Sequence, residues 1–149
     1  MFTKIISGGQ TGVDRAALDV ALQFGLECGG WCPKGRRAAD GRLPAKYPLQ
    51  ETASPAYPER TRRNVQDSDG TLVLTHGTAK GGTALTIGLA RKMKKPYLTL
   101  DLREQPDPQA VIDWAKENRI RVLNIAGPRE SESHGIYNLA VSFLEKLLA

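Results

Sequence analysis

TKIISGGQTGVDRAALDVALQFG, residues 3–25, decides the fold. A short β-branched run stops at Gly8 and Gly9, the pattern of a buried strand entering a tight turn. From Gly12 onward Val13, Ala17, Val20 and Phe24 fall on one helical face, with Gly25 as the stop. The stretch predicts strand, glycine turn, helix. The same order returns downstream, where residues 71–75 (TLVLT) read as a strand, 76–83 (HGTAKGGT) as a glycine loop and 84–92 as a helix. On that helix Ala84, Leu85, Gly88 and Leu89 predict a close-packing face, and the basic RKMKK segment suits a helix C-terminus. Further strands are predicted at 96–100 and 121–126. Helices are predicted over 59–67, over 107–118 behind Asp107-Pro108, and finally through Ile136, Ala140, Phe143 and Leu147 with Ser131 or Ser133 as cap. Alternating strands and helices predict an α/β fold, an open, mostly parallel sheet with helices on both faces and a ligand crevice beyond the carboxyl ends of its strands.

The chain has 149 residues, 40% of them apolar, and no linker or low-complexity tract interrupts it, so residues 1–149 read as one domain. No stretch approaches the ~20 apolar residues of a bilayer span. The N-terminus lacks a secretory pattern, which makes the cytoplasm the expected location. Cys28 and Cys32, in CGGWC, form neither a disulfide framework nor the paired ligands of a structural zinc site, and read as reduced and structural. Residues 27–58 lack periodicity and hold five of the nine prolines. Eight bases against three acids lie between Lys34 and Arg63, an excess that equals the net charge of +5. Such a region suits an anionic small ligand, nucleic acid, or a solvated face.

Two glycine loops, each between a strand and a helix, would share one edge of the sheet. In GGQTG, Gly8, Gly9, Gln10, Thr11 and Gly12 are candidates for a phosphate cradle, as are Thr78, Gly81, Gly82 and Thr83 in GTAKGGT. Absent side chains let backbone N–H groups approach an anion, the helix end attracts it, and the threonines add hydroxyl donors. One such loop is more often only a turn; two facing loops favour binding. Neither matches G-x-G-x-x-G or a P-loop, which disfavours ordinary NAD and ATP machinery. Asp14 can cap its helix, bind a ligand hydroxyl, or pair with a base. Trp31, Lys34, Gly35 and Arg36 can stack on a planar ring and neutralise phosphate, although Trp31 equally suits a core. No catalytic constellation is legible around His76 or His134, and no metal site is expected.

ISGGQTGVDRAALDVAL at 6–22, GGWCPKGRRAADGRLPAKYPLQET at 29–52, RTRRNVQDSDGTLVL at 60–74, GGTALT at 81–86 and NIAGPRESESHGIY at 124–137 together resemble the molybdenum cofactor carrier proteins. That family resembles a branch of the Rossmann-like superfamily with the lysine-decarboxylase-like cytokinin-activating enzymes and the DNA-processing A proteins. The resemblance implies carriage of molybdenum cofactor, a phosphorylated pterin, by a homo-oligomer, dimer or tetramer, without catalysis. The second loop departs from the PGGxGTxxE of the cytokinin-activating relatives, since GGTALTIG has Thr86 and no acid. That departure weakens an enzymatic reading. The alternatives are a nucleotide-binding or nucleotide-processing, phosphoribohydrolase-like protein with Asp14, Glu51 or Asp69 as acid, and, ranked last for want of aromatics among the bases, a nucleic-acid module.

Overall fold

The computed structural model describes residues 1–149. In chain order it runs β1 (Lys4–Ile6), α1 (Val13–Gln23), β2 (Cys28–Gly29), β3 (Trp31–Cys32), β4 (Arg37–Ala38), β5 (Gly41–Arg42) and β6 (Gln50–Glu51). There follow α2 (Tyr57–Gln66), β7 (Gly70–Thr75), α3 (Gly81–Lys92), β8 (Tyr97–Asp101), a 3-10 turn (Leu102–Glu104), α4 (Gln109–Glu117), β9 (Val122–Ala126) and α5 (Ile136–Leu148). Five strands form the central sheet in the order β2-β1-β9-β7-β8, every pairing parallel. The fold is therefore the expected Rossmann-like α/β fold.

Period-two alternation divides the two faces of this sheet. Ile5, Leu72, Leu74, Leu123 and Ile125 point into the main core with Val13, Ala17, Val20, Ala140 and Leu144 of α1 and α5 and Val111 of α4. The residues between them, Ile6, Thr71, Val73 and Asn124, are also buried but stand outside that cluster, on the side of α2 and α3. Because β1 leads outward to β2 and β7 leads the other way to β8, with β9 between them, a crevice opens beyond the ends of β1 and β9.

Several local expectations are corrected. The 27–58 region, which lacks periodicity, carries short strands: β2 joins the main sheet, β3 pairs with β6, and β4 with β5. These two-residue strands are too short for alternation to show. Phe24 is half-exposed just beyond α1. The face of α3 expected to pack is largely open, since its buried residues are Thr83, Thr86 and Ala90 while Ala84, Leu85 and Gly88 face solvent. Helical period marks the apolar stripe without saying what covers it. Helix α3 also starts at Gly81, so the glycines form its first turn. Neither Ser131 nor Ser133 caps α5; the Glu130 carboxylate does, accepting from the N–H groups of Gly135 and Tyr137 at 2.5 and 3.0 Å.

Candidate functional site

A cleft of about 300 Å³ opens where the ends of β1 and β9 meet α2 and the start of α3. Such a volume lies at the lower end for small-molecule sites. Its wall at α3 is the first helical turn. The N–H groups of Gly81 and Gly82 have no acceptor in the protein, and a Cβ at Gly82 would meet nothing within 4 Å. Unmet donors at the positive end of a 12-residue helix form a ready anion site.

Arg60 projects from α2 into the floor, only 8% exposed. One of its guanidinium nitrogens donates to the Gly8 carbonyl at 2.8 Å and lies 3.7 Å from an Asp14 oxygen, while Nε donates to Thr61 at 3.1 Å. Glycine at position 8 leaves room for this arrangement, because a Cβ there would press on the Arg60 guanidinium and push it off the carbonyl. Asp14 is nearly enclosed, and burial pushes its carboxyl up to about 6, with Arg60 opposing the rise. Gln10 is 5% exposed. Its Oε1 accepts from the N–H groups of Thr11 and Ala39, which fixes the amide and leaves a buried Nε2 with no acceptor. Asn124, at the end of β9, donates Nδ2 to Thr71 at 3.2 Å, and its Oδ1 accepts no hydrogen bond. At the rim, the Tyr57 ring is flanked by the guanidinium groups of Arg37, Arg60 and Arg129 at 5.1–5.5 Å.

The structure brings Gly8, Gln10, Asp14, Gly81, Gly82 and Thr83 together in this cleft. It places the other candidates elsewhere. Gly9 lies beneath Leu43 and Leu49, where a Cβ would stand 2.6 Å from the Leu49 methyl. Thr11 and Gly12 line a cavity on the other side of the first loop with Arg15, Asp19, Tyr47 and Tyr137. Thr78 faces a third cavity beyond α3. Trp31 donates its indole N–H to Asp67 and stacks with Arg63. Lys34 is exposed outside the cleft, and the Gly35 N–H donates to Glu51. Arg36 donates to the carbonyls of Leu43, Pro44, Tyr47 and Leu49, which makes it the clamp of the 37–50 excursion. Cys28 and Cys32 are free and buried, and burial pushes both thiols up, away from nucleophilic reactivity.

Arg60, Tyr57, Asn124, Arg129 and Glu132 line the cleft without having been singled out. Arg60 was part of the basic cluster, but a base count does not say which member points inward. Asn124 and Arg129 flank the end of a strand, where ligand groups collect in this architecture.

The Asp14 environment has a testable signature. Its carboxyl titrates near 6 in the fold against 3.8 ordinarily. The native state therefore holds a proton that the unfolded chain has lost, and this residue's contribution to stability declines as pH rises from about 4 to 6. The decline amounts to about 3 kcal/mol. Asp14→Asn should flatten that part of the profile, which urea denaturation at stepped pH would measure; an unchanged slope would remove Asp14 as its source.

A Rossmann-like α/β protein with a polar cleft at the start of α3 is the class these features define. The chain belongs to the circularly permutated YpsA SLOG family, whose sequence profile matches residues 5–148. It is similar to a crystal structure from Syntrophus aciditrophicus SB described as a "Putative molybdenum carrier protein". The two are 49% identical, with a TM-score of 0.94 over 99% of this chain and 96% of that one. No curated protein matches the chain.

Proposed function

We propose that this chain binds and carries molybdenum cofactor, an anionic phosphorylated pterin, in the cytoplasm and without a covalent step. The observation that carries the reading is the open first turn of α3, where the Gly81 and Gly82 N–H groups face a cleft that also holds Arg60 and Arg129. These groups suit a phosphate. Gln10 Nε2, the Asp14 carboxyl and Asn124 Oδ1 offer a donor and two acceptors to the polar edge of a pterin, and the Tyr57 ring offers a stacking surface. No group of three or more His, Cys, Asp or Glu side chains is placed to hold a metal ion, so in this reading the cargo is gripped through its phosphate and ring. The name given to the 49% identical neighbour supports the same cargo.

The reading includes association of copies into a dimer or tetramer, supported by the open apolar face of α3, where Leu85 is 38% exposed. No helix is long and apolar enough to cross a membrane. A second reading, a nucleotide-binding or nucleotide-processing protein, is favoured by one feature, the Asp14 carboxyl titrating near neutrality in a cleft. Mixing the purified protein with freshly released cofactor and following its oxidation separates the two. Slowed oxidation at equimolar protein supports carriage; unprotected cofactor together with turnover of a nucleoside monophosphate supports the second reading.

A further inference from the structure

Glu132 stands at a boundary. It and Thr83 line both the cleft and a polar cavity of about 260 Å³ beyond the α3 N-terminus. That second cavity is walled by Thr75, His76, Thr78, Lys80, Arg103 and Ser133. Thr83 is only 6% exposed, yet its hydroxyl makes no hydrogen bond in the protein. That hydroxyl is open to the two cavities Thr83 borders and is free to donate into either. Lys80 is exposed and forms no ion pair. Arg103 uses Nε and one terminal nitrogen on Asp101, leaving Nη1 free to donate.

Glu132 brings a carboxylate to this cation-bearing junction. One carboxylate oxygen pairs with Arg129 Nε at 3.2 Å, and the other lies 3.6 Å from where a Cβ of Gly81 would be. A carboxylate of the chain thus sits against the helix end that attracts anions, and it neutralises the arginine beside it. Any phosphate drawn to Gly81 and Gly82 meets this like charge.

We propose that the cleft and the second cavity are adjacent anion subsites for a diphosphate ester, meeting at Thr83, with Glu132 as the carboxylate that such a ligand displaces. The inference rests on the cleft being a phosphate site and extends it from one phosphate to two. The first phosphate takes the Gly81 and Gly82 N–H groups and the freed Arg129. The second takes Lys80 and Arg103, and the Thr83 hydroxyl donates where the two meet. A diphosphate is the linkage that joins a phosphorylated pterin or nucleoside to a second group, so the pair of subsites would separate nucleotide-linked cargo from a simple monophosphate.

Calorimetric titration with GMP and GDP, whose guanine shares the 2-amino-4-oxo ring edge of a pterin, tests this on the wild type, Lys80→Ala and Glu132→Gln. GDP should bind the wild type at least ~10-fold more tightly than GMP, because charge-assisted contacts are added in the second cavity. Lys80→Ala should erase that margin while leaving GMP unchanged. Glu132→Gln should tighten both nucleotides by about 5-fold or more, as expected when a competing charge is removed. The second subsite is overturned if GMP binds and GDP gains nothing, or if Lys80→Ala weakens both alike; the phosphate reading of the cleft then survives. If neither nucleotide binds any of the three proteins, the paired subsites are overturned, and the phosphate reading of the cleft is then decided by the cofactor itself.

Discussion

Gly82→Asp is expected to lower affinity for a phosphorylated ligand at least ~100-fold, about 2.7 kcal/mol, while the protein still folds. The side chain would project into the open space in front of the α3 N–H groups and put a negative charge where the phosphate belongs. Folding is spared for two reasons. A Cβ at Gly82 touches nothing, and its backbone lies outside the left-handed region that Gly81 occupies with a φ of +50°. Aspartate in a first helical turn also favours the helix. The melting temperature should therefore hold or rise slightly. Lys34→Ala, a charge change of the same sign outside the cleft, should leave binding unaltered. A folded Gly82→Asp with wild-type affinity would reduce the glycines to turn formers.

Arg60→Ala should be the most destabilising single change in the cleft. It strips the Gly8 carbonyl of its donor and leaves the Asp14 carboxyl without its cation, both in enclosed surroundings. Breaking a buried pair from one side costs about 3 kcal/mol, which for a domain of this size is a loss of roughly 6–12 °C in melting temperature. The loss should be larger at pH 8 than at pH 5, because Asp14 can escape the penalty by holding its proton. Arg60→Lys should recover part of the loss, since it restores the charge without the fork that reaches Gly8 and Thr61 together. Thermal melts at the two pH values decide it, and a pH-independent loss would show that Asp14 takes no part.

The glycine-terminated strands carried the architecture in the sequence. Residues 4–6, 70–75, 97–101 and 122–126 are strands long or apolar enough to be read directly, and the helices between them follow from their periodic faces. The insertion between α1 and α2 was not legible. Its strands pair over two residues, and it is held by Arg36 donating to four carbonyls and by Asn64 bonding both the N–H and carbonyl of Trp31. Local sequence does not show contacts of that range. The same limit applied at the site. Missing side chains pointed to Gly8, where Arg60 approaches closely, and to Gly82, which lines the cleft over open space, whereas charge and aromaticity pointed to Trp31, Lys34 and Arg36 when the inward cations are Arg60 and Arg129. Which bases face a cleft depends on how α2 and the loop after β9 lie over the sheet.

The central claim, a cleft that holds a phosphorylated pterin at the start of α3, is tested most directly by native mass spectrometry. The protein and Gly82→Asp would be isolated gently, side by side, from cells that make the cofactor. The wild type should appear as an oligomer retaining the mass of a phosphorylated pterin, and Gly82→Asp as the same oligomer without it. A nucleotide mass in place of the pterin, or pterin retained equally by both proteins, would contradict the account.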